Sequence, residues 1–292
     1  MLQIAVNLEN TTDLKDYKDA SADEVILSLE NATFSGCRSF SMSEITDLLK
    51  EAHALNMKVT VLFNRLFHEF ELEKMHSAFL QLMKEGTDYI IFADPCVAMW
   101  AKEEGCMNKL IYDPVTLITS SEDAAFWSKL NLGYITLSPL CTKEEIAEMA
   151  ARIPNASICA HGYQLMSASR RKLVSSYLKE KKMPADLLQK SLSLREEKRD
   201  YFLPVYETGT NTLIYNDFVQ ETFAHLKTFL SYGVKRIEVQ SLRLTKEEVT
   251  DAIRGYRLIE NGEDPLTIQK DYFQKHRNLN LSEGYYGWKT VK

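Results

Sequence analysis

The chain has 292 residues, 45% of them hydrophobic and 10% aromatic, and its 41 acidic side chains outnumber the 35 basic ones, for a net charge of −6. A chain of that size can bury a full core, and one large domain is the default. Five scattered cysteines without a Cys-X-X-Cys pair exclude a disulfide framework and favour reduced thiols, and the lack of any apolar run of the roughly 18 residues a spanning helix needs argues against a membrane protein. With no basic flank ahead of the short apolar run at Leu2 to Leu8, we expect a soluble cytoplasmic protein.

Taken in order, short β-rich runs recur at Gln3 to Leu8, Glu24 to Leu29, Lys58 to Phe63, Tyr89 to Ala93, Lys109 to Tyr112, Tyr134 to Leu137, Ser157 to Ala160 and Arg236 to Gln240. Their continuous apolar character suits strands covered on both faces, as in a parallel sheet. Capping boxes announce helices between them: Ser41 with Glu44, Thr142 with Glu145, and Thr245 with Glu248, each followed by an apolar stripe at helical spacing. Eight strands alternating with helices predict an α/β fold of the (βα)8 TIM-barrel type.

One unit breaks the rhythm. Between the seventh and eighth strands lies an insertion, residues 163–234, where a single helix would suffice. It holds a basic segment (Arg170, Arg171, Lys172, Lys179, Lys181, Lys182), a polar stretch from Gln189 to Asp200, the loop from Glu207 to Thr212, and an expected helix from Asp217 to Tyr232. Long insertions after barrel strands build or cover the site. Charge is split too: residues 1–155 carry 13 basic and 24 acidic side chains, and residues 156–292 carry 22 and 17, which suggests a face for an anionic partner. The barrel with its insertion is assigned to 1–262, and 263–292 to a tail expected to pack on it through Tyr285, Tyr286 and Trp288.

Barrel chemistry sits at the carboxyl ends of the strands. Those ends carry Asn7 and Glu9, Glu30, Asn64 and Arg65, Asp94, Asp113, Ser138, His161, and Glu238 with Gln240. The candidate catalytic groups are His161, Glu238 and Asp94, a histidine and two carboxylates suited to acid–base work. For His161 the alternative is a buried histidine bonded to a neighbouring strand; for Asp94 and Asp113, each ahead of a proline, it is capping of the next helix. Arg38, Asn64, Glu30, Arg171 and Gln240 are candidate substrate-binding residues, Arg38 because a planar guanidinium suits carboxylate or phosphate, with a surface salt bridge as its alternative. By the period of two, Arg236, Glu238 and Gln240 all face the barrel interior or none does. A divalent cation among the carboxylates is left open, although no His-Glu-X-X-His, Walker loop or Gly-X-Gly-X-X-Gly occurs, and no metal ligand is assigned. Without a Gly-X-Ser-X-Gly elbow, Ser167 and Ser169 are expected to cap the helix that follows them.

The segment Ser157 to Leu178, SICAHGYQLMSASRRKLVSSYL, carries a resemblance. It resembles the signature of peptidase family U32, the collagenase-like peptidases, with His161, Gly162, Ser169, Arg171, Ser175, Ser176 and Tyr177 in register. Ser21-Ala-Asp-Glu-Val, Phe34-Ser-Gly-Cys-Arg38, Ala52-His53, Asn64, Phe92-Ala-Asp94 and Arg236-Ile-Glu238 are similar to further family motifs in the same order. The departures are Leu165 and Lys172 where the family carries cysteines, no thiol in 189–199, and Val239-Gln240 for its Gly-Arg.

The resemblance implies a peptidase by the family's name, but also tRNA modification, since several branches take part in oxygen- or prephenate-dependent hydroxylation of the wobble uridine. Short members lacking the cysteines are similar to the smaller partner of a pair whose larger member keeps them. The reading favoured here is a role in tRNA wobble-uridine hydroxylation, as enzyme or subunit, with tRNA and a cysteine-containing U32 paralogue as partners and prephenate as an implied ligand. The alternatives are a collagenase-like peptidase and a non-catalytic scaffold. With the thiolate ligands gone, no iron–sulfur cluster is expected in this chain.

Overall fold

In the run Glu-Val-Ile-Leu-Ser-Leu at Glu24–Leu29 every residue is buried, which a strand achieves only when both its faces are covered. The computed structural model, which describes residues 1–115, 117–195, 197–198, 200–209 and 211–287, shows how. Eight parallel strands, β1 (Gln3–Asn7), β2 (Glu24–Leu29), β3 (Lys58–Phe63), β4 (Tyr89–Phe92), β5 (Leu110–Tyr112), β6 (Tyr134–Leu137), β7 (Ala156–His161) and β8 (Val234–Val239), form one closed barrel. Closure is made by β1, which pairs with β8 from Gln3↔Arg236 to Val6↔Val239 and with β2 from Ala5↔Glu24 to Asn7↔Ile26. Among the described residues, the one strand added to this sheet is the two-residue Ser39–Phe40 beside β2.

Strand alternation sorts the side chains into two cores. Outward residues such as Ile4, Val25, Val59, Ile90 and Ile237 join the main apolar cluster under the helices. Inward ones, Ala5, Ile26, Leu62, Ile91 and Ile111, make a small plug inside the barrel, with polar residues above and below it. The three predicted capping boxes form as read, each with an extended N-cap residue: Glu44 N donates to Ser41 Oγ (3.3 Å), Glu145 N to Thr142 Oγ1 (3.2 Å) and Glu248 N to Thr245 Oγ1 (3.3 Å).

The insertion is more ordered than its composition suggests. Leu165–Ser169, Leu192–Arg195, Phe202–Thr208 and Asn211–Tyr215 form a four-stranded antiparallel sheet, and Leu173–Glu180 is a helix beside it. Ser167 and Ser169 lie in the first of these strands and do not cap the helix. Its first turn is held instead from the hairpin, by Thr212 Oγ1 on Leu173 N (3.0 Å) and Glu207 Oε2 on Ser175 N (3.0 Å). The sheet roofs the mouth of the barrel. Leu213 and Tyr215 pack with Cys37 and Leu242, and Gly36 N donates to Tyr215 Oη (2.8 Å).

Two helix boundaries differ from expectation. The helix expected over Asp217 to Tyr232 is only Leu226–Tyr232, preceded by a 3-10 turn at Phe223–His225, because Val219–Gln220 pairs in parallel with Leu281–Ser282 of the tail. Conversely, the region after Ile259 holds the helix Pro265–Lys275: Asp264 caps Thr267 N (2.9 Å) and Pro265 occupies the first turn, where its missing N–H costs nothing. The tail packs on the barrel through Tyr286, whose buried hydroxyl accepts from Gln220 Nε2 (2.8 Å). Trp288, assigned the same role, lies outside the described residues.

Candidate functional site

At the bottom of the barrel, beneath the apolar plug, sits a guanidinium with no solvent exposure. Arg236 on β8 reaches across the β1 seam to Glu24 on β2, Nη2 to Oε1 at 2.6 Å and Nε to both oxygens at 3.2 Å. Its Nη1 donates to Ser157 Oγ (3.2 Å) and to Glu238, one step higher on β8. Thr60 Oγ1 also donates to Glu24 (2.6 Å). Burial, the largest influence on Arg236, disfavours its charge, but Glu24 and Glu238 reverse this and hold the guanidinium protonated. The question of face is thereby decided: Arg236, Glu238 and Gln240 all point inward.

Above the plug a cavity of about 50 Å³ opens towards the roof, lined among others by Asn7, Asn64, Asp113, Cys159, Glu238 and Gln240. Asp113 ends β5, and its Oδ1 accepts from Val115 N (2.8 Å), an Asx turn that carries Val115 into the left-handed region at φ 67°. Burial, then the charge of Glu238, push the Asp113 carboxyl up to about 7. Two inward acids thus differ in kind: Glu238 is tied to a guanidinium, whereas Asp113 can gain or lose a proton near neutrality. Asn7 Oδ1 and Thr136 Oγ1, both at the cavity wall, are buried without a partner. Such orphaned atoms point to a small polar ligand or water held there. The Cys159 thiol, bonded by Gln164 Nε2 (3.1 Å), is pushed up to about 12 by burial and the Glu238 charge, so it is no ready nucleophile.

His161 is not in this cavity. Along β7 the register slips: Glu238 pairs with Cys159 and Val239 with His161, so Ala160 is an extra residue and the bulge turns His161 to the outer face. There it is fully buried among Phe223, Tyr256 and Tyr272, with Nδ1 3.3 Å from Tyr256 Oη and Nε2 3.1 Å from Tyr272 Oη. Burial, with a smaller contribution from His276, holds its pKa down to about 3. The candidate catalytic histidine is therefore a neutral structural group. Gly162 completes the turn: its φ is 113°, and a Cβ there would stand 2.7 Å from Gln240 Cβ and the Gln240 carbonyl oxygen.

The remaining candidates separate. Asp94 is committed to backbone, its Oδ1 accepting from Cys96 N (3.0 Å) as N-cap and its Oδ2 from Phe67 N (2.9 Å), so a catalytic role is replaced by capping. Asn64 stays at the cavity, where its Oδ1 fixes the loop after β2 by accepting from Thr33 Oγ1 (3.1 Å) and Phe34 N (2.9 Å). Gln240 lines the same cavity. Arg38 is an exposed rim residue paired with Glu44 (2.9 Å), Arg171 is exposed on the roof, and Glu30 lines a separate pocket. Sequence reasoning placed Asp113 at a strand end, with capping as the alternative, and Arg236 on one face with Glu238, but named neither as a site residue, and it gave Cys159 no place in the site. Strand parity from Glu238 was the signal available for Arg236. Among the described residues no group of three or more His, Cys, Asp or Glu side chains is placed to hold a metal ion, and the five free thiols do not converge. No helix among them is long and apolar enough to cross a membrane.

A closed (βα)8 barrel, roofed by an inserted β-sheet and holding a buried arginine–carboxylate cluster below its mouth, defines the class. The chain belongs to peptidase family U32, whose model matches residues 9–291. It is 21% identical to tRNA hydroxylation protein P2 of Bacillus subtilis (strain 168), over 99% of this chain and 98% of that one. It is 27% identical to tRNA hydroxylation protein P of Escherichia coli (strain K12), but over 44% of this chain and only 29% of that longer protein. A solved U32 peptidase shares the fold at a TM-score of 0.53 and 12% identity, covering 82% of this chain and 92% of its own.

Proposed function

We propose that this chain acts in tRNA hydroxylation, at the wobble uridine, as a cytoplasmic protein that works beside a cysteine-containing U32 paralogue. The observation that carries this reading is the end-to-end alignment with tRNA hydroxylation protein P2, which leaves no part of either chain unaccounted for beyond 1–2%. The site is compatible with it: a cavity with an acid that titrates near 7 beside a fixed guanidinium–carboxylate pair can take up or release a proton as a bound substrate reacts. A peptidase reading finds less support. Burial holds Cys159 in its thiol form, and His161 faces away from the cavity behind two tyrosines, so these two do not form a nucleophile–base pair.

Mass spectrometry of tRNA nucleosides from a deletion strain tests this, with complementation by the wild-type gene and by Asp113→Asn. Loss of 5-hydroxyuridine-type nucleosides in the deletion, restored by wild type and not by Asp113→Asn, is expected. Unchanged nucleosides in a strain also lacking paralogues would overturn the proposal.

A further inference from the structure

A second pocket opens beside the barrel mouth, separated from the central cavity by the loop after β2. It has a volume of about 360 Å³ and lies between that loop (Glu30, Thr33) and the roof hairpin (Thr208, Asn211), with Arg65 as its cationic wall. Arg65 is 3% exposed and spends one nitrogen on an ion pair, Nη2 to Glu71 Oε1 at 2.5 Å, while its Nε is buried without an acceptor. Glu71 is also held by Arg170 from the roof, Nη1 to Oε2 at 2.6 Å and Nη2 to Oε1 at 3.0 Å. Burial alone would raise the Glu71 carboxyl, but the bonds from Arg170 and the His68 amide and the charges of Arg65 and Arg170 hold it down at about 2. Two guanidinium groups therefore share the Glu71 carboxylate, and Arg65 faces Glu30, the other acid of the pocket wall, without an ion pair to it. A buried cation in that state needs an anion.

The opposite wall asks for a different partner. Asn211 is 5% exposed, and its Oδ1 has no hydrogen-bond donor although its Nδ2 reaches the Thr33 carbonyl (3.4 Å). Glu30 adds a second acceptor on the same pocket. A phosphodiester, which carries no proton, has no donor to offer two acceptors. A group carrying an anion on one side and hydroxyl donors on the other satisfies both walls, and the sugar–phosphate unit of a ribonucleotide is such a group.

We infer that this pocket binds one ribose-phosphate unit of an RNA chain, its phosphate on Arg65 and its ribose hydroxyl on Asn211 and Glu30, so that the adjacent base is delivered to the barrel mouth. The choice of RNA rests on the tRNA reading above; the chemistry of the pocket does not. Because Thr33 and Phe34 form the partition, with Phe34 lining the central cavity, the two sites are neighbours along one strand of substrate.

The test uses the full-length chain and uridine 5′-monophosphate, its 2′-deoxy counterpart and inorganic phosphate as probes, read by the Arg65 Nε–H resonance in NMR. Uridine 5′-monophosphate should shift that resonance at about tenfold lower concentration than either other probe, as expected for loss of one well-made hydrogen bond. In Arg65→Gln, with Glu71 still paired to Arg170, uridine 5′-monophosphate binding read by isothermal titration calorimetry should be lost, and binding as tight as in the wild type would overturn the inference. Thr208→Glu, on the hairpin rim, should weaken ligand binding by a similar factor and covers the case in which Arg65→Gln does not fold. With an anticodon stem-loop RNA, Arg65→Gln should lower the salt dependence of binding by about one ion. No shift with uridine 5′-monophosphate, or equal shifts with all three probes, overturns the inference. A normal shift in a protein whose deletion leaves tRNA unmodified in no way would sink the tRNA reading alone and leave the pocket standing.

Discussion

Strands β7 and β8 carry a buried polar cluster on each face, and the two could hardly differ more. On the inner face Glu24 and Glu238 bring two carboxylates to the Arg236 guanidinium, and Glu238 shares the cavity wall with a third acid, Asp113. On the outer face His161 is enclosed by Tyr256, Tyr272 and Phe223, each ring nitrogen facing a hydroxyl, and it lines neither the central cavity nor the second pocket at the barrel mouth. The inner cluster keeps an excess of charge and orphaned wall atoms, the marks of a site awaiting a partner. The outer one is neutral and enclosed by aromatic rings, the marks of packing. Burial and unusual protonation are common to both, so neither property alone identifies function; access to a cavity does.

The comparison can be broken at several points. Arg236→Met, which strips Glu24 and Glu238 of the guanidinium they share, should cost the most, about 3–5 kcal/mol in chemical denaturation; a loss under 1 kcal/mol would show that Glu24 and Glu238 take up protons or water without strain. His161→Ala should cost about 2–3 kcal/mol through the two tyrosine contacts and the space left behind. Its folded fraction should nonetheless support tRNA modification, and a well-folded but inactive variant would return His161 to the site.

Opposite responses to pH sharpen the contrast. His161, about 3 when folded against an ordinary value of 6.5, binds more protons in the unfolded chain, so its contribution to stability is lost as pH falls from about 6.5 to 3, at up to about 1.4 kcal/mol per pH unit. His161→Gln should flatten that limb of the stability profile. Asp113, about 7 when folded against an ordinary 3.8, does the reverse: its contribution is full below about 4 and is lost as pH rises towards 7. Asp113→Asn should therefore match wild type within about 1 kcal/mol at low pH and gain on it above neutrality, while losing modification activity. A parallel pair of profiles would mean that Asp113 carries no raised pKa and that the inner cluster is as inert as the outer one.

Much of the fold was legible because its signals are local. The eight strands announce themselves as apolar runs, and Ser41, Thr142 and Thr245 cap their helices from three residues away. Asp264-Pro265 is an equally local start signal that the polar surroundings concealed. The insertion was misread because its order is not local: Val219–Gln220 is a strand only because Leu281–Ser282 lies beside it, and the helix Leu173–Glu180 is held at its first turn by Thr212 and Glu207 from two other strands.

The site was harder still. Strand parity predicts that Arg236, Glu238 and Gln240 share a face, yet parity from Cys159 would place His161 inward with it, and one extra residue at Ala160 inverts that assignment. By itself, then, the sequence determined the barrel, its insertion and the family, since apolar runs, caps and motifs act over a few residues. Only the tertiary structure decided which polar residues meet: Glu24 and Arg236 lie 212 positions apart and touch because β1 closes the ring between β2 and β8. A side chain's pKa and partners are properties of its surroundings, and those surroundings come from strands and helices far away in the chain.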